Sequence, residues 1–86
     1  MKASHILVST KEQADAILAE ANPLNFGSLA QQHSSCPSKA RGGDLGEFGP
    51  GMMVKPFEDA TLATPIGEIS RPVQTQFGFH LIHRTG

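Results

Sequence analysis

The stretch SHILVS, residues 4–9, reads as a β-strand, and that reading decides the fold. Ile6, Leu7 and Val8 follow one another with no polar interruption. Side chains alternate along a strand, so no face of this one is left for water, and such runs belong to strands covered on both sides. Residues 3–8 are therefore expected inside a sheet with something packed on each face. Ser9 and Thr10 end the run. Thr10 stands three residues before Gln13, a capping-box spacing. KEQADAILAEA then places Ala14, Ile17, Leu18 and Ala21 on one stripe, which predicts an amphipathic helix over residues 11–21, stopped by Asn22 and Pro23.

Further along, Asn25 is suited to cap a helix from Phe26 to about His33, whose apolar side is Phe26, Leu29 and Ala30. A glycine-rich loop follows, then a short strand around Leu45–Phe48. A third short helix is expected to start near Pro56, a residue that fits a first helical turn. Phe57, Ala60 and Leu62 are read as its inward positions. Ile69–Val73 reads as a strand that Pro72 confines to a sheet edge. QTQFG makes a turn, and Phe79–Arg84 is a strong last strand. The order is strand, two helices, strand, helix, two strands. It predicts an α+β domain with helices packed on a small, mostly antiparallel sheet.

Composition narrows the function classes. Eighty-six residues make one domain, residues 1–86, with a modest core. The net charge of −1 with interspersed charges lacks the basic footprint of a nucleic-acid binder. No stretch approaches the ~20 apolar residues of a membrane span, and the N-terminal apolar run is too short for a signal peptide. Cys36 is the only cysteine, so no disulfide closes within the chain. A cytoplasmic, monomeric protein without a cofactor is expected.

Two histidines, His5 and His80, fall within strands and between apolar neighbours (SHIL, FHLI). Either each is a core histidine with its hydrogen bonds satisfied, or the first and last strands are neighbours and the rings meet across them in a shared network. Leu45, Met53, Phe57 and Phe77 form an apolar set. Met53 and Phe57, four residues apart at the start of the third helix, can present one surface, and Met53 and Phe77 sit beside turn glycines where a cleft wall is as fitting as core. Cys36 is either an inert buried thiol or, with Lys39 and Arg41 nearby, a thiol biased towards thiolate. A metal site on His33 and Cys36, completed by His5 or His80, is the minor alternative.

Taken together, SHILV, GGDLGEFGPGMMVKPFEDA and QFGFHLI resemble the parvulin family of peptidyl-prolyl cis/trans isomerases, in the same order and over residues 4–82. The resemblance implies a four-stranded, mostly antiparallel sheet surrounded by three to four short helices. It implies catalytic roles for His5, Cys36, His80 and Thr75, and a proline cradle of Met53 and Phe57 floored by Leu45, with Phe77 at a variable rim position. No cofactor or metal is implied. The partners expected are proline-containing peptides and unfolded or flexible protein segments, with no nucleic acid and no membrane.

The sequence also departs from part of that family. Members that read phosphate carry a basic loop between the first strand and first helix, where this chain has VSTKEQA and no arginine fork. Isomerisation without a need for phosphate is therefore expected. Met52 stands where glutamine is frequent. The rival expectation is a proline-peptide binding or chaperone module that keeps the cleft without the activity.

Overall fold

The computed structural model describes residues 1–35, 40–49 and 51–86. The elements run β1 (Lys2–Val8), α1 (Lys11–Glu20), α2 (Phe26–His33), β2 (Asp44–Glu47), α3 (Lys55–Ala63), β3 (Val73–Thr75) and β4 (Gly78–Arg84). The four strands form one sheet in the order β2-β1-β4-β3, and every pairing is antiparallel. β1 thus lies inside the sheet, as its uninterrupted apolar run requires.

The pleat sorts the side chains. Ile6 and Val8 of β1 and Leu81 of β4 face α1 and α2, where they pack with Ala14, Ile17, Phe26, Leu29 and Ala30. Ala3 of β1 and Ile82 of β4 face the other way, against Phe48 and Phe57 under α3. Fully burying side chains of this size contributes about 1.5–3 kcal/mol each, and splitting them between two faces fixes the register, since a one-residue slip would reverse every one of them.

Local signals explain the helix ends. Thr10 Oγ1 accepts the Gln13 N–H at 3.2 Å and caps α1. Asn25 does not cap α2; its side chain turns back, accepting the Asn22 N–H at 2.7 Å and donating to the Glu20 carbonyl at 2.8 Å. α3 carries Pro56 in its first turn. At the other end of α3, where the Thr64 N–H donates to the Thr61 carbonyl at 3.2 Å, the Arg84 guanidinium also donates to the Thr61 and Thr64 carbonyls at 3.4 and 3.3 Å.

Besides the Asn25 cap, three further expectations need correction. Ile69–Val73 is not a continuous strand: Ile69 makes an isolated bridge to His83, and the edge strand proper is Val73–Thr75. Pro72, with no N–H to give, interrupts the ladder between them. The hairpin turn shrinks accordingly to Gln76 and Phe77. Leu62 points outward, 57% exposed, whereas Thr61 is fully buried with its hydroxyl donating to the Phe57 carbonyl at 2.9 Å. Met53 precedes α3 instead of starting it.

Candidate active site

The α3 face of the sheet carries the polar residues that the sequence singles out. In the β1–β4 register His5 pairs with Ile82 and Leu7 with His80. Residues directly opposite share a face, so His5, Leu7, His80 and Ile82 all emerge on one side, with the two histidines as diagonal neighbours. Their Nδ1 atoms lie 3.0 Å apart, and the rings are nearly parallel at 16°. His80 Nε2 lies 2.8 Å from Thr75 Oγ1, and that oxygen also accepts the Phe77 N–H at 3.1 Å.

Burial decides the charge state. Desolvation pushes His80 down from 6.5 to about 4. Burial, followed by repulsion from His80, lowers His5 to about 4 as well. Both rings are therefore neutral at pH 7, and a contact between two Nδ1 atoms then needs one proton between them. If Thr75 donates its hydroxyl to His80 Nε2, His80 donates from Nδ1 to His5. If His80 donates from Nε2 to Thr75, the direction reverses and His5 becomes the donor. The Phe77 amide occupies one lone pair of Thr75 in either arrangement. Passing from one order to the other along Thr75–His80–His5 moves no heavy atom, takes up one proton at the Thr75 hydroxyl and releases one from His5 Nε2.

Phe57 stands edge-on to both imidazoles, at 5.6 Å and 79° to His5 and 5.2 Å and 85° to His80. It closes the inner end of a cleft of about 500 Å³ lined also by Leu45, Met53, Val54 and Leu7. Met52 and Phe77, 68% and 61% exposed, form its rim. All four apolar residues singled out from the sequence therefore line one cavity, with His5 and His80 in its wall. Cys36 lies outside the described residues, and with it the comparison between its inert and active readings. His33 borders a separate small hollow with Val8 and Ile17, on the α1 side of the sheet. It does not join His5 or His80.

Leu7, Ser35 and Val54 also line the cleft and were not anticipated. Leu7 was within reach, since strand alternation puts it on the face of His5. Ser35 was not: the Ser35 N–H donates to the Leu7 carbonyl at 2.8 Å, and the Leu7 N–H donates to Ser34 Oγ at 3.1 Å, contacts with no local signature. These bonds tie the end of α2 to β1 beside the cleft. Gly43 fixes β2 beside the same histidine. It sits at φ 81°, its carbonyl accepts the His5 N–H at 2.9 Å, and a Cβ there would run into the His5 carbonyl.

Thr75→Val removes the only hydroxyl bonded to His80 Nε2 among the described residues while keeping the side chain's shape. The variant is expected to lose about 1–3 kcal/mol in urea melts, the cost of a buried polar atom left unpaired, and Thr75→Ser to retain most of it.

The sheet thus sets a wall of paired histidines beside one apolar cleft. The chain belongs to the PPIC-type PPIase domain family, the parvulins, whose model matches residues 1–86. It is 47% identical to foldase protein PrsA 4 of Bacillus cereus over 99% of this chain and 31% of that protein. It is 57% identical to the peptidyl-prolyl cis-trans isomerase Pin1 of Digitalis lanata over 76% of this chain and 55% of that protein. Among solved structures, NmPin, the parvuline of Nitrosopumilus maritimus, superposes with a TM-score of 0.82 at 42% identity, covering 100% of this chain and 95% of its own. A SurA-like chaperone of Campylobacter jejuni superposes at 0.94 with 39% identity, over 99% of this chain and 37% of its own. The chain spans about a third of the length of the PrsA relatives it matches.

Proposed function

We propose that this domain accelerates cis/trans rotation about X-Pro bonds in peptides and flexible protein segments, without requiring phosphate before the proline. The observation that carries the reading is the single cleft that joins Leu45, Met53, Phe57 and Phe77 to the neutral His5–His80 pair.

Rotation of a planar amide faces a barrier of about 18–20 kcal/mol, and X-Pro bonds cross it in tens to hundreds of seconds. The twisted transition state has less C–N double-bond character and a less polarised carbonyl. An apolar cavity that holds the proline ring while the chain on the other side turns therefore binds the twisted form better than the planar one. Lowering the barrier by about 5–7 kcal/mol gives roughly 10⁴–10⁵-fold acceleration. No bond is made or broken, so the residues act by shape and polarity. His5, His80 and Thr75 are assigned to the cleft's polar wall, where uncharged donors can adjust to a carbonyl whose polarity changes. Cys36 is assigned an electrostatic part, with no covalent adduct.

Independence from phosphate is supported by the lining: among the described residues of the cleft there is no Lys or Arg. Lys11, next to the β1–α1 connection, already pairs with Asp15 at 3.0 Å. The exposed Met52 and Phe77 instead favour an apolar residue flanking the proline. Turnover of X-Pro tetrapeptides should follow Leu above Ala above Glu, with phosphoserine at least tenfold below Leu in kcat/KM. A phosphoserine peptide turned over best would overturn the proposed substrate class. The likeness to a SurA-like chaperone sustains a second reading, a binding module that holds proline segments without turning them. Peptide binding without acceleration would select it.

A further inference from the structure

A second groove, of about 420 Å³, opens at the far end of α3. It is walled by Ala60, Ala63, Pro65, Ile69, Pro72 and Val73, with Glu68 and Arg71 also on its lining. The groove adjoins the proline cleft. Val73 lines the groove and pairs directly with His80, which lines the cleft, and directly opposed residues stand about 4.5–5.5 Å apart on the same face. On the helix side, Phe57 belongs to the cleft while Ala60, one turn later, belongs to the groove. The two hollows thus lie one after the other along the seam between α3 and β3.

Resting on the cleft reading, we infer that this groove is a subsite for the same polypeptide, holding an apolar side chain about three residues from the proline. The spacing follows from the helix. From Phe57 to Ala63 the axis rises about 9 Å at about 1.5 Å per residue, which an extended chain covers in about three residues at roughly 3.3 Å each. The class of side chain follows from the walls, since Ile69, Val73 and the two prolines offer apolar contact. Glu68 and Arg71 bring opposite charges to the lining and so give no preference for either sign. Continuity along one seam selects the substrate's own flanking chain as the occupant.

The test compares three unphosphorylated peptides with the wild-type protein and with Ala63→Arg, which fills the groove from an exposed helix position. One peptide is an X-Pro tetrapeptide; the others are nonapeptides with Leu or with Ser at the third residue on each side of proline. In the wild type, kcat/KM for the Leu nonapeptide should exceed that for the Ser nonapeptide by about fivefold to tenfold, and the Leu peptide alone should shift the Ala63 and Ile69 amide resonances. In Ala63→Arg the difference should vanish while tetrapeptide turnover is unchanged. Equal turnover of the two nonapeptides with no shift at Ala63 or Ile69 overturns the subsite and leaves the cleft standing. Loss of tetrapeptide turnover in the wild type strikes the isomerase reading instead, and the resonance shifts then decide the subsite alone.

Discussion

Phe57→Ala is expected to lose about 3–5 kcal/mol of stability, the usual cost of truncating a buried phenylalanine. Phe57 is 2% exposed, packs against Phe48 and touches both imidazoles edge-on, so the cavity left behind cannot close by a small shift of one neighbour. Against a total of about 5–15 kcal/mol for a domain, that leaves little margin. Phe57→Leu separates folding from function. It keeps most of the volume, with an expected loss of about 1–2 kcal/mol, yet removes the flat face that the proposed function assigns to the proline ring. Its kcat/KM should fall by about tenfold to a hundredfold in the folded protein. Urea melts and peptide turnover on the same preparations check both parts, and a Phe57→Leu protein with unchanged turnover would remove Phe57 from the cradle.

Acid should weaken the fold through the histidine pair. His5 and His80 titrate near 4 in the native state and near 6.5 when free, so between those values the unfolded chain takes up protons that the folded chain refuses. Their contribution is complete above pH 6.5 and is lost as pH falls through about 4. The slope is about 1.4 kcal/mol per pH unit for each proton taken up. With the two Nδ1 atoms 3.0 Å apart, a second proton meets the first, so the two titrate as a pair. Denaturant melts between pH 6 and 4.5 should show this slope, and a His5→Leu/His80→Leu double variant should lose most of it. An equally steep slope in the double variant would assign the acid sensitivity to other groups.

Much of this arrangement was legible in the sequence because it rests on local period and chemistry. Ile6, Leu7 and Val8 announced a strand covered on both faces, Thr10 announced the start of α1, and the apolar flanks of His5 and His80 placed both rings in strands. Their meeting depended on β1 lying next to β4, a long-range pairing that period cannot supply, so both readings of the histidines stayed open. Other details were hidden for physical reasons. Thr61 is buried because its hydroxyl bonds back to the Phe57 carbonyl, which removes the polarity that argued for Leu62 as the inward residue. Pro72 is an edge signal, but it also divides Ile69 from Val73. The bonds that bring Ser34 and Ser35 to Leu7 cross 27 and 28 residues, the differences 34 − 7 and 35 − 7 in the numbering, and leave no pattern in either segment.

The proposed function requires the cleft to hold a proline whose amide has turned out of plane more tightly than one lying flat. Exchange spectroscopy on an unphosphorylated Leu-Pro tetrapeptide, with the protein at catalytic concentration, measures this without a coupled protease. Cis/trans exchange cross-peaks that appear on a sub-second mixing time are the predicted result. Peptide resonances that shift on binding while the exchange rate stays at its uncatalysed value would contradict it.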